Sequence, residues 1–384
     1  MRKRQSGNAG RGSRGTKLLE SLECRTMFAV HPLGELPVLN SYPDGRATLF
    51  LDFDGSPQMQ WGAGTMAAMP AYDNDGDATT FEDAELADIR SIWGIVAEKY
   101  SPFNINVTTA DPGTYPVGQT LRVVIAGQTA TVTGFASLGG FTGGETTVWV
   151  FAKGQSPAGV AKVAAHEAGH ALGLEHQSLY DSAGTKLVEY HPGDSFRGPI
   201  MGSPNLYNAR ALWWYGPNAD SATTIQDDMA IIAGSINGFG YRPDDHGDLT
   251  AGATALAASG DALSGRGVIA TSSDSDVFMI TTGGGAVSFT ASAWDDAAVY
   301  GPQGMLDLQL RLVDAEGRIV AAADTSSLGE AVSVILAAGT YYLVVASHGA
   351  YADVGQYTVT GTAPVATPVP PQPPPPAGSP TPSC

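Results

Sequence analysis

Seven histidines occur in this 384-residue chain, and three of them fall within one short run, VAAHEAGHALGLEH (163–176). His166 and His170 are four residues apart. On a helix that spacing puts both imidazoles on one face, one turn apart. The helix is expected from its start signal, Ser156 as N-cap followed by Pro157 at the first helical position. Val160, Ala164, Ala168, Ala171 and Leu172 recur at helical period on the opposite side, so the back of the helix is expected to be buried. Gly173 can adopt positive φ and end the helix, turning the chain so that His176 swings toward the other two imidazoles.

Three neutral imidazoles with one open position describe a catalytic zinc site, in which a bound water is acidified to a pKa of roughly 7. Glu167 adjoins the histidine face without being a ligand. It is the expected general base. Two histidines at helical spacing would by themselves be an ordinary structural feature; the pattern HExxHxxGxxH, with five fixed positions, is far more specific.

On His166, Glu167, His170, Gly173 and His176 the chain resembles the metzincin zinc endopeptidases, whose motif is followed by a methionine turn beneath the metal. Met201, in RGPIMGSP, stands in the corresponding place. The resemblance implies an α/β catalytic domain, with a twisted mixed sheet and an active-site helix, and hydrolysis of peptide bonds. Some branches carry a tyrosine two residues after the methionine. Here that residue is Ser203, and Tyr207 and Tyr215 lie too far along to take the role. Gln177 after the last histidine does not indicate a branch, so the cleavage preference stays open. The resemblance also implies an edge strand above the cleft that pairs with extended substrate. Gly134, Phe135, Ala136, Ser137 and Leu138 are the candidates by order along the chain, and such pairing would bind many sequences through main-chain hydrogen bonds.

Elements must hold this site. Ala47–Phe53, Asn104–Thr109, Leu121–Ala126 and Thr146–Phe151 read as strands. A helix is expected to open at Thr80-x-x-Asp83 as a capping box and to bury Ile89, Ile92, Trp93 and Val96. Ile225, Met229, Ile232 and Ile236 give the stripe of a second helix, resembling the one that closes the metzincin domain. Trp213, Trp214 and Tyr215 are either cleft-side or core. The stretch PAYDNDGDATTFED (70–83) reads as a solvated loop rather than a calcium site, because Ala71 occupies the slot where an EF-hand has its first ligand.

The composition changes after Tyr241. Short alternating runs with turn signals, at 267–270, 277–281, 286–291, 307–312, 341–346 and 357–360, argue an all-β sandwich. Ala331–Ser347 reads as two strands around a turn. The succession DDHGD, SDSDVFMI, LDLQLRLVDAEGRIVA, AGTYYLVV, GQYTV resembles the prepeptidase C-terminal domain, a jelly-roll-like module of secreted bacterial proteases. That resemblance implies roles in secretion or substrate binding, and in some modules calcium. Asp244, Asp245, Asp274 and Asp276 are the candidate calcium carboxylates, although surface-turn aspartates are the commoner explanation. His246 and His348 have no ligand-like companions.

The expected organisation is therefore a basic leader (1–30), a zinc peptidase domain (31–241), a sandwich (242–362) and a proline-rich extended tail (363–384). Residues 1–17 hold six Lys/Arg and no acid, which leaves 14 basic against 38 acidic residues in the rest, a charge of −24. A body so acidic excludes nucleic acid as a partner. No segment reads as a transmembrane helix. The two cysteines, Cys24 and Cys384, exclude a disulfide framework, and the LECRTM context of Cys24 does not match a latency cysteine. KLLESLECRTMFAV resembles a short N-terminal motif of exported planctomycete proteins, with Cys24 where proline is usual. Export and a protein or peptide substrate follow from these resemblances, with one zinc ion as cofactor and calcium as a candidate second. Two rivals remain: an extracellular binding protein whose zinc domain is inactive, and a zinc hydrolase of a non-peptide amide.

Overall fold

The strands Ala47–Asp52, Thr120–Ala126 and Thr147–Phe151 are mostly apolar and almost wholly buried, as befits strands covered on both faces. With Ile105–Thr108 they form four parallel strands of a five-stranded sheet. The fifth, Gly134–Phe135, lies antiparallel beside Thr147–Phe151 at the sheet's edge. The computed structural model of the protein describes residues 29–203, 209–295 and 302–365; the leader through residue 28, Tyr207, and the tail from 366 on, with both cysteines, lie outside them.

Two helices cover one face of this sheet, Asp83–Tyr100 and Pro157–Ala171. Ile89, Ile92 and Val96 of the first are fully buried, and Val160, Ala164, Ala168 and Ala171 of the second meet them in one core. The opposite face carries Val124, Ala126, Trp149 and Phe151. A small hairpin, Met59–Trp61 with Gly64–Met66, packs over it.

Two helix expectations fail in detail. Thr80–Glu82 is a short strand, and the cap of the first helix is Glu82. Its carboxylate takes the amide of Glu85 while the Glu85 carboxylate returns the bond to the amide of Glu82. The Thr80 hydroxyl donates instead to Asp77. The expected closing helix is only Asp228–Ile232. Ile225 lies in a strand paired with Tyr215–Pro217, and Ile225 and Ile236 are both exposed. Their helical spacing carries no buried face, because Asp227 caps a new helix after Ile225.

Beyond residue 253 the described residues form strands and their connections, with no helix. One five-stranded sheet has the order Thr254–Ala255, Ser275–Thr282, Gly339–Ser347, Leu308–Asp314, Ile319–Ala323; the other has Ala257–Ser259, Ala262–Ile269, Gly355–Thr362, Gly285–Ala293, Glu330–Leu336. Their inner faces share a core that includes Phe278, Phe289, Leu310, Leu343 and Tyr357. The protein is thus β-rich with several sheets, and this part is a sandwich. The two strands expected at 331–347 both exist, but they belong to opposite sheets, so the turn between them is a crossover and not a hairpin.

The sandwich is built onto the first core. Met305, Ala352 and Val354 belong to the core of the 31–241 region. Glu98 is fully buried and accepts the amides of Met305 and Gln356, each at 3.1 Å. Its neighbour Lys99, also buried, donates to the Gln303 carbonyl. Arg210 donates to the Met305 carbonyl at 2.7 Å, and Tyr351 donates to Asp227 at 2.6 Å.

Candidate metal centre and cleft

Ser156 caps the histidine helix through the amide of Gly159, with Pro157 in the first turn, as the sequence indicates. Gly173 has φ +100°, which ends the helix and returns the chain. The turn brings His176 back: ring centroids are 4.7 Å apart for His166–His170, 5.3 Å for His166–His176 and 4.8 Å for His170–His176.

The outer nitrogens fix the tautomers. His166 Nδ1 lies 2.9 Å from the Ile200 carbonyl and His170 Nδ1 lies 2.6 Å from that of Leu174. Carbonyl oxygens only accept, so both Nδ1 atoms carry the proton. His176 Nδ1 faces the Glu189 carboxylate at 3.1 Å. The three Nε2 atoms are therefore left with lone pairs directed inward. Those of His170 and His176 are 3.1 Å apart, close to the roughly 3.3 Å separation of two nitrogens on a tetrahedral zinc with Zn–N of 2.0–2.1 Å. Two lone pairs at that distance repel unless a cation lies between them. Burial also holds His166 well below the usual histidine pKa and His170 down to about 4, so these two rings are neutral, as ligands must be. The donor set fits zinc.

Glu167 is buried beside this cluster, and burial pushes its carboxyl up to about 7 against the pull of Lys162. Gly134 of the edge strand sits directly against it. A Cβ at Gly134 would lie 2.7 Å from Glu167 Cγ and Oε1. Met201 is fully buried beneath the helix, and a Cβ at Gly169 would come within 2.7 Å of its sulfur. Met201 thus supports the helix between the first two histidines.

A cleft of about 510 Å³ opens over these groups, lined on one side by Val132–Ala136 and on the other by Lys162, Val163, the histidines, Glu167, Tyr190, Gly202 and Ser203. Of the expected edge-strand residues, Gly134 and Phe135 form the strand and Ala136 still lines the cleft, whereas Ser137 and Leu138 lie beyond it. The strand stops there because Ser137–Gly140 turns into a short helix, with Gly139 at φ +67°. Trp213 is core, Trp214 packs on His191 and Arg197, and Tyr215 is exposed against Tyr351.

Four residues at the site were not anticipated. Glu189 orients His176, and Lys186 holds Glu189 at 2.7 Å. Tyr190 covers His176, their ring centroids 4.2 Å apart. Lys162, one turn before His166, donates to the Gly202 carbonyl at 2.8 Å. The lysine alone has a sequence signal, its i, i+4 relation to His166.

A second cluster lies in the sandwich. Carboxylate oxygens of Asp244, Asp274 and Asp276 come within 4.8 Å of one another. Asp276 is fully buried, so the surface-turn expectation fails for it. Tyr357 donates to its Oδ2, while Oδ1 has no partner. Burial pushes Asp276 up to about 8 and Asp274 up to about 6. An orphaned buried carboxylate oxygen among acids suits a hard cation such as calcium. Asp245 is not one of the three, but its charge adds to the upward push on Asp276 and Asp274 while it accepts the amide of Val268. His246 and His348 bond to Thr254 and Asp324 respectively. In the 70–83 loop, Asp73, Asp75 and Glu85 also approach one another. There Lys153 pairs with Asp73, and Glu85 is occupied by the amides of Asn74 and Glu82.

No protein-family model and no curated protein matches the chain. Among solved structures, the prepeptidase C-terminal domain of a Bacillus anthracis collagenase is 13% identical, over 32% of this chain and 98% of its own, with a TM-score of 0.22. PliG of Aeromonas hydrophila, a periplasmic inhibitor of g-type lysozyme, is 10% identical over 29% of this chain and 94% of its own, TM-score 0.23. The mitogen of Yersinia pseudotuberculosis is 11% identical over 27% and 87%, TM-score 0.20. Likeness at this level says nothing about activity. No helix among the described residues is long and apolar enough to cross a membrane.

Proposed function

We propose that the protein is a secreted zinc endopeptidase of metzincin type, with a prepeptidase C-terminal type sandwich. The observation that carries this is the convergence of three inward lone pairs, on His166, His170 and His176, beside the Glu167 carboxylate in a cleft floored by a sheet edge. The three imidazoles would hold the metal. Zinc bound there supplies Lewis acidity, which lowers the pKa of water and polarises a carbonyl.

The chain's own groups do the rest. Glu167 takes a proton from the attacking water and delivers it to the leaving amine; a carboxyl near neutral pKa can do both. Gly134, without a side chain, leaves that carboxylate room at the strand edge. Among the described residues the strand Gly134–Phe135 pairs with one strand, which leaves its outer edge open to an extended peptide. Glu189 and the Ile200 and Leu174 carbonyls fix the ring orientations. An open cleft and a buried base favour a catalytic over a purely structural site, and the free strand edge favours peptide over other amides. Calcium held by Asp244, Asp274 and Asp276 would neutralise the sandwich cluster.

The test is digestion of a denatured protein mixture by wild type and Glu167→Ala, with fragments read by mass spectrometry. Cleavage by wild type alone, abolished by a zinc chelator, is expected. Zinc bound to a wild type that cuts nothing would sink the proposal.

A further inference from the structure

Lys162 is a cation placed in the cleft with no anion assigned to it. It lies on the histidine helix four residues before His166, on the same face and roughly 6 Å along the axis. Its ammonium donates to the Gly202 carbonyl, which occupies one of three donors. Among the described residues it forms no ion pair. Its one charged neighbour is Glu167, which is already the expected base. Val163, Gly202 and Ser203 also line the cleft, and among the described residues the histidines, Glu167, Tyr190 and this lysine are its ionisable side chains.

We propose that Lys162 selects an acidic side chain, Asp or Glu, at the substrate residue adjoining the scissile bond. This rests on the endopeptidase reading. The reach is right: successive residues of an extended peptide advance roughly 3.3–3.6 Å each. A carbonyl seated at the three imidazoles therefore puts the next side chain one step along, over the Lys162 end of the cleft. The two spare N–H donors would meet a carboxylate in a charge-assisted bond. The acidic body of the protein disfavours acidic peptides at long range, but that field is screened beyond about 8 Å in physiological salt, whereas a contact in a half-buried pocket is not. The local cation wins.

The test compares wild type with Lys162→Met on a proteome-derived peptide library, then on a matched pair of peptides with Glu or Gln at the preferred position. Wild type is expected to enrich Asp and Glu beside the cut and to favour the Glu peptide about 10–100-fold in kcat/KM, the range for a hydrogen bond to a charged group. Lys162→Met should bring the Glu-to-Gln ratio of kcat/KM to about one, a ratio taken within each variant so that any effect of the lost charge on Glu167 cancels. As a readout independent of turnover, the Glu167→Ala protein should bind the Glu peptide more tightly than the Gln peptide in calorimetry, and Lys162→Met in that background should equalise them. Lys162→Gln, which keeps a donor for Gly202, replaces the methionine variant should that one not fold. Cleavage by wild type without acid enrichment, or acid preference surviving loss of Lys162, overturns this inference and leaves the endopeptidase reading intact. No cleavage of any peptide overturns both.

Discussion

Gly134→Ala is the sharpest perturbation available, because it adds one methyl group and tests the base through its neighbour. Gly134 does not adopt positive φ, so the backbone accepts alanine without strain. The new Cβ would stand 2.7 Å from both Cγ and Oε1 of Glu167 and 2.8 Å from the Trp149 carbonyl. Ordinary contact begins at 3.4 Å, so something must retreat by at least 0.7 Å. Trp149 lies in a strand bonded on both sides, so the two-residue edge strand must ease away from its carbonyl while the carboxylate swings aside. A misplacement of this order at a reacting group costs about 100-fold in rate. The assay is kcat/KM on a cleaved peptide, with bound zinc per chain and the melting temperature measured on the same sample. We expect the rate to fall by about two orders of magnitude with zinc content unchanged, since no ligand touches Gly134. Full activity in Gly134→Ala would refute the role given to Glu167 and its contact with the edge strand. Loss of zinc or of the fold would refute the claim that the effect passes through the carboxylate.

Other expectations follow from the same geometry. Glu189→Gln should weaken zinc affinity about 10–100-fold in a chelator competition, because it loosens the ring that His176 presents. Glu98→Ala should orphan the amides of Met305 and Gln356 and cost roughly 2–6 kcal/mol in denaturant unfolding, at about 1–3 kcal/mol for each unpaired donor; an unchanged midpoint would show the contact to be idle. The pH dependence of the sandwich has a definite sign. Burial raises Asp276 to about 8, so its contribution is fully present below the unfolded carboxylate pKa of about 4 and is lost as pH rises toward 8. In calcium-free buffer the melting temperature should fall across that window. Added calcium should restore it most at the alkaline end, by about 2.7 kcal/mol at 100 times the dissociation constant, and Asp276→Asn should abolish the response.

Features written locally were legible in the sequence. Ser156-Pro157, the histidine spacing and Gly173 each act within one or two turns, and all three behave as read. The parallel strands were legible because strands buried on both faces are continuous apolar runs. What failed or was missed depends on distant partners. Glu189 follows His176 by 13 residues with no motif between, and only the fold brings them together. Asp276 looks like a turn aspartate until Tyr357, 81 residues away, closes over it. Ile225 and Ile236 share a helical period by coincidence, since a capping aspartate intervenes. Glu98 and Lys99 are fully buried with no local signal of it, because the distant sandwich supplies their partners.

That burial bears on the order of events in the life of the chain. A ribosome or translocation pore delivers residue 98 long before residue 356. Until the last strand of the sandwich arrives, the 31–241 region leaves to water a carboxylate and an ammonium, on the helix that backs the histidine helix, which the finished fold buries. Its interior is finished by some of the last described residues to be made. A core completed in this way is finished only after residue 356 has emerged, so synthesis itself acts as a clock on when the histidine helix gains its full backing.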